Sequence, residues 1–137
     1  MFWATAWLLA LAASTTVTMM DKPVTVAVNV PEKARRSKAV LLQLEGVVVA
    51  HNAPAVWNIF WEMPRANAQT SVEDLHFVGY VTSVANSGAR DPKPANFTLE
   101  LPSAAVAVIH RQTTIRLTFV PVRVPNGGVT IGDLRLE

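Results

Sequence analysis

The chain has 137 residues, of which half are apolar and 16% are charged, with a net charge of +2. That length suits one domain with a single core, and so small a charge excess argues against a nucleic-acid partner. The absence of cysteine excludes a disulfide scaffold and thiolate metal sites, while leaving the compartment open.

Residues 1–20, MFWATAWLLALAASTTVTMM, form an apolar segment set apart from a domain over residues 21–137. Phe2 to Ala13 is apolar apart from Thr5, and Ala10 to Ala12 offers small residues for cleavage. The segment therefore reads as a secretory signal, with a periplasmic or extracellular destination, or as an apolar helix packed on the domain or on a partner. A third reading places the natural start at Met19 or Met20. No Lys or Arg precedes the run, and a dozen or so residues fall short of the ~20 that span a bilayer, so no membrane insertion follows.

Beyond Asp21 the pattern is one of short β segments. PVTVAVNV sets Val24, Val26, Val28 and Val30 on one face, the period-two mark of a half-buried strand. Pro31 ends it, and the basic run EKARRSK (Glu32 to Lys38) reads as a solvated loop, with a phosphate or membrane patch as the alternative. AVLLQLEGVVV is a second strand with a bulge signal at Gly46, and VWNIFWEM, between Pro54 and Pro64, a third with apolar residues on both faces. EDLHFVGYVTSVA (Glu73 to Ala85) predicts a long fourth strand, followed by the loop NSGARDPKPA. NFTLEL is a fifth strand, PSAAVAVIH a helical turn started by Pro102, and TTIRLTFVPVRV a sixth strand. The Pro125 to Gly128 turn leads into VTIGDLRLE, whose apolar phase slips by one residue around Gly132 and Asp133, as at a β-bulge. About seven strands with little helix predict an all-β, jelly-roll-like antiparallel sandwich. Its expected core is Val26, Leu42, Leu44, Phe97, Leu99, Ile115, Leu117, Phe119 and Ile131.

Residues that could carry chemistry are sparse. His51, His76 and His110 are dispersed, and no pair falls at helical i, i+4 spacing, so no metal site is expected from them. Glu73 and Asp74 are neighbours, which on a strand face opposite ways. The serines lack a base and an orienting partner, and the sequence has neither a phosphate-cradling loop nor a dinucleotide fingerprint. Asn96 to Thr98 satisfies a glycosylation sequon only formally, because it lies on a strand. The densest cluster is Trp57, Phe60, Trp61 and Met63. These four are the candidate interaction residues, as an apolar docking surface, with core packing as the other reading; Trp57, Ile59 and Trp61 share one strand face that can enter the core, and Phe60 on the other face, with Met63, is the part expected to be exposed.

The runs PVTVAVNVPEKARRSKAVLLQLEGVVV, HFVGYVTSVAN and RLTFVPVRVPNGGVTIGDLRLE together resemble the C-terminal (KFDV) domain of polyphenol oxidases, the catechol oxidases and tyrosinase-like type-3 copper enzymes. The resemblance spans most of Pro23 to Glu137 and is best at the terminal valine-threonine-isoleucine-glycine strand. The family's Lys-Phe-Asp-Val tetrapeptide falls at Val56 to Ile59, where both charges are lost. The resemblance implies a non-catalytic domain that covers or stabilises a type-3 copper catalytic domain and keeps it latent. The two coppers would lie on the six histidines of that partner and none in this chain. An independent exported sandwich that binds a small molecule or a glycan is the alternative.

Overall fold

The computed structural model describes residues 15–83 and 94–137. The first 14 residues of the apolar segment, and most of the loop NSGARDPKPA, lie outside these ranges. Among the described residues there are eight strands: β1 (Thr15–Met19), β2 (Val24–Asn29), β3 (Leu41–Val49), β4 (Ala55–Trp61), β5 (Phe77–Ser83), β6 (Ala95–Glu100), β7 (Thr114–Arg123) and β8 (Val129–Leu136). One-turn helix α1 (Glu32–Arg35) joins β2 to β3, and α2 (Ser103–Ile109) joins β6 to β7. The strands make two four-stranded antiparallel sheets, ordered β1-β8-β3-β6 and β2-β7-β4-β5. This order, with successive strands alternating between sheets at both ends of the chain, is that of a jelly roll, as expected from the strand pattern.

The inner faces follow from simple alternation. Leu42, Leu44, Trp57, Ile59, Ile115, Leu117, Phe119 and Ile131 are fully buried between the sheets. Val26, Phe97 and Leu99, expected in the core, are only half-buried, because β2 and β6 are edge strands and one flank of each side chain stays open to water. Ala105, Val106 and Ile109 of α2, together with Leu101, close one end of the sandwich.

Both bulge signals correspond to real features, and they are coupled. Glu45 pairs with Asp133 and Val47 with Ile131, so Gly46 and Gly132 face each other between the two central strands of the first sheet. A Cβ on Gly46 would sit 3.6 Å from the Gly132 Cα, and Gly46 adopts φ 64°, a left-handed value that favours glycine. Because β3 and β8 slip phase together, their mutual register is kept, and the irregularity passes to the outer pairs, β3 with β6 and β8 with β1. There, side chains satisfy the freed backbone groups: the Gly46 N–H donates to Asn96 Oδ1 at 3.0 Å, and Thr16 Oγ1 donates to the Gly132 carbonyl at 3.2 Å.

Three local expectations are corrected. Thr15–Met19, counted with the apolar leader, is a strand, with Val17 and Met19 buried and Thr16 and Thr18 outward. Part of the basic run is helical, because Pro31 presets the first turn and buried Ala34 anchors it. The fourth predicted strand starts only at Phe77. Residues 71–76 are turns, held by the Glu73 N–H to Ser71 Oγ and the His76 N–H to Asp74 Oδ1, so Glu73 and Asp74 are turn residues.

Candidate interaction surface

At the end of β4 the chain leaves the sheet and returns as a strap, residues 62–76, over the outer face of the second sheet. Glu62 makes the turn with φ 45° and is fixed to β7: its N–H donates to the Arg116 carbonyl at 2.8 Å. Its carboxylate in turn accepts from the Arg116 N–H (2.7 Å), Nε (3.1 Å) and Nη2 (2.9 Å). The other end of the strap is pinned at Trp61. The Trp61 N–H donates to the His76 carbonyl at 2.8 Å, and Trp61 Nε1 donates to the Leu75 carbonyl at 3.3 Å. His76 Nδ1 lies 2.8 Å from the Trp61 carbonyl oxygen, and the two rings stack with centroids 4.4 Å apart. Between these anchors Asn67 and Thr70 organise a turn, with the Gln69 N–H on Asn67 Oδ1 and the Asn67 N–H on Thr70 Oγ1.

The strap has its own small core. Phe60, Ala66 and Val120 are buried beneath it, flanked by half-buried Met63 and Phe77, whose ring meets Phe60 edge-on with centroids 5.4 Å apart. The expected docking set is thereby corrected. Trp57 and Trp61, named in that set, lie in the main core, Phe60 is fully buried by the chain's own strap, and Met63 is half-buried. The apolar side chains that do reach solvent here are Leu75 (71% exposed), Val72, Tyr80 and Val122. Tyr80 and Val120 both flank Asn58 through their pairing with β4, so these residues continue the outer face that the strap covers. The aromatic density of β4 marks a face that the strap covers, but not the side chains exposed beside it. Val72 and Leu75 are single apolar residues within polar turns, and such residues carry no periodic signal in the sequence.

The three histidines lie apart from one another. His51 sits at φ 59° in the tight turn after β3, His76 stacks on Trp61, and His110 Nε2 is 2.8 Å from the Ser37 carbonyl oxygen at the end of α2. Among the described residues no three of His, Cys, Asp or Glu group as metal ligands. The three imidazoles sit on separate elements, and two of them lie at hydrogen-bond distance from carbonyl oxygens.

The outer face of the first sheet is ionic. Arg135 lies between Glu45, to which it donates two bonds, Asp133 at 3.1 Å and Glu137 at 3.5 Å. The Arg135 bonds hold the Glu45 carboxyl below its ordinary value, against a smaller opposing effect of desolvation, and the carboxylates raise that of Arg135.

The arrangement is that of a jelly-roll domain with one ionic and one apolar outer face. No protein-family model and no characterised protein sequence matches the chain. Solved structures do. The latent apple tyrosinase structure matches with a TM-score of 0.65 over 93% of this chain at 17% identity. Latent aurone synthase, a polyphenol oxidase, matches over 90% from its natural source and 91% as the recombinant protein, each at 13% identity, with TM-scores of 0.65 and 0.62. The chain spans about a quarter of each of those proteins, 25–27% of their length. At such identities the likeness is one of fold, and it agrees with the polyphenol oxidase resemblance drawn from the sequence motifs.

Proposed function

We propose that this chain is a non-catalytic covering domain that associates with a separate type-3 copper oxidase domain and restrains it. The observation that carries the reading is coverage: nearly the whole chain superposes on about a quarter of latent polyphenol oxidases, leaving the remaining length of those proteins to supply a catalytic domain. The two coppers belong to that partner. The chain itself contributes contact, and the surface that offers it is the strap 62–76, with exposed Val72 and Leu75, together with the adjoining sheet face, with exposed Tyr80 and Val122. Such a surface suits a partner because large apolar side chains on a pinned backbone lose little conformational freedom on binding. Phe60 and Met63 act beneath it as the support that sets the strap's height.

The test mixes the purified chain with a catalytic domain from a type-3 copper oxidase of the same host, and follows co-elution and catechol oxidation. Binding and a lowered oxidation rate are expected. Leu75→Ser with Tyr80→Ser should keep the thermal transition and weaken association by roughly tenfold or more, the range of interface-centre truncations. Undiminished association of that folded variant would remove this face. The absence of association with any such domain would remove the reading.

A further inference from the structure

Of the chain's asparagines, only Asn126 is followed by glycine. The pair sits in the β7–β8 turn, where the Gly128 N–H donates to the Pro125 carbonyl at 3.0 Å and closes residues 125–128. Gly127 takes φ 91° at the third position while Asn126 stays out of the positive-φ region, the pattern of a type II turn. The amide between the two central residues is then left outside the closing bond. Among the described residues neither the Gly127 N–H nor the Asn126 side chain has a hydrogen-bond partner, and both residues are exposed.

A second feature converges on this turn. The Ala50 N–H donates to the Gly128 carbonyl at 3.0 Å, which fastens the tight turn after β3 alongside it. His51, held there at φ 59°, thereby lies against Gly127: its Nε2 is 3.6 Å from where a Cβ on that glycine would stand. The imidazole belongs to an exposed residue and, among the described residues, has no hydrogen-bond partner. The same Cβ would stand 2.8 Å from that of Ala50, so the close approach that brings the histidine also requires glycine at 127.

We propose that Asn126 is a self-modifying site, converted to aspartate or isoaspartate within the folded domain, with His51 as the general base. His51 Nε2 takes the proton of the Gly127 N–H as that nitrogen attacks the Asn126 side-chain carbonyl carbon, and a five-membered succinimide ring closes. The bond from that carbon to Nδ2 breaks, and the imidazolium returns its proton so that ammonia leaves. Water then opens the ring at either carbonyl, giving aspartate or, with the main chain rerouted through the side-chain carbon, isoaspartate. Nothing is oxidised or reduced, and water is the only co-reactant. Either product adds a negative charge, and isoaspartate also adds a backbone atom to a turn without room for it, since even a Cβ on Gly128 would collide with the Met19 carbonyl oxygen. Modification therefore loosens the β1–β8 end of the first sheet and sets a chemical limit on the life of the domain. The proposal is independent of the covering role, because it uses no residue of the strap and needs no oxidase.

The experiment incubates the full folded chain in neutral buffer and follows amide-to-acid exchange by peptide mass mapping, with an isoaspartate-specific methyltransferase as the second readout. Exchange should appear at Asn126 ahead of every other asparagine, and the thermal transition should fall as it accumulates. His51→Gly and His51→Asn both suit a positive φ and should leave the starting transition unchanged. Each should slow the exchange roughly tenfold or more, since a positioned base commonly contributes at least that much. In urea, where the two turns separate, the variants and the parent chain should react at one rate. Equal rates in the folded state would overturn the role of His51, and exchange led by another asparagine would overturn the assignment of the site. A thermal transition unmoved by full conversion would overturn the limit on the life of the domain.

Discussion

On the outer face of the first sheet a single arginine, Arg135, is held among three carboxylates in water, whereas on the outer face of the second sheet Phe60 and Val120 lie dry beneath the strap 62–76. Both faces present alternate residues of central strands, so backbone geometry does not distinguish them. The side chains do. Where the outward positions are Gln43, Glu45, Asp133 and Arg135, water serves as the cover. Where they are Phe60, Thr118 and Val120, the chain must bring its own, and it uses 15 residues to do so. Even the buried Thr118 hydroxyl is provided for, by the Thr25 hydroxyl at 2.8 Å. This face, covered once by the strap, still presents Leu75 on the cover and Tyr80 beside it.

The largest effects are expected in the two interiors, the one between the sheets and the one under the strap. Trp57→Ala should lower stability by about 3–5 kcal/mol, since the side chain is fully buried and its ring meets Phe97 edge-on across the sandwich. Phe60→Ala should approach the same range if the strap seals its small core as tightly as the sheets seal the large one. Urea unfolding of both variants decides this, and a loss below ~1 kcal/mol for Phe60→Ala would mean that the strap lies on the sheet without excluding water.

Gly128→Ala should come next, at about 1–3 kcal/mol. Gly128 has φ 77°, and an added Cβ would collide with the Met19 carbonyl oxygen, so the substitution pushes the β7–β8 turn away from β1. An unchanged thermal transition would show that this end of the first sheet is looser than its pairing implies.

The ionic face should yield the smallest effect. Because the folded-state pKa of Glu45 is lowered from 4.5, its contribution is fully present above that value and fades as the pH falls through the lower folded value. Arg135→Met should therefore lower the melting temperature by a few degrees at most near pH 7, the difference closing as the pH is taken below about 4. A difference that persists at pH 3 would assign the effect to packing of the arginine stem rather than to charge.

Most of the fold was legible because this chain alternates cleanly where a strand has one wet face: Val24 to Val30, Leu42 to Leu44 and Ile115 to Phe119 declare themselves. Both bulges were legible too, since a glycine placed where the apolar phase slips marks the residue that can adopt the irregular backbone. Thr15 to Met19 was obscured by the apolar run before it, although its own Thr-Val-Thr-Met alternation is as regular as any. The strap was obscured for a different reason. Turns built from Asn67, Thr70, Ser71 and Asp74 look like solvent-exposed loop, and only the three-dimensional return of Ala66 onto Phe60 shows that they form a lid on apolar surface. The exposure of Phe60 was misjudged for that same reason, because a sequence reports which face a residue takes and not what later lies on it.

The position of β8 bears on the order in which the sandwich can be made. It follows every other described strand yet sits between β1 and β3, and Thr15 pairs with Leu134 across most of the domain. Until residues 129–136 have left the ribosome, the first sheet has an empty slot at its centre, and the hydrogen-bonding edges of β1 and β3 that face it are unpaired. The second sheet can zip earlier, once β7 has emerged to join β2 and β4. In order of synthesis the second sheet can therefore be completed before the first, whose closure by β8 is a long-range pairing.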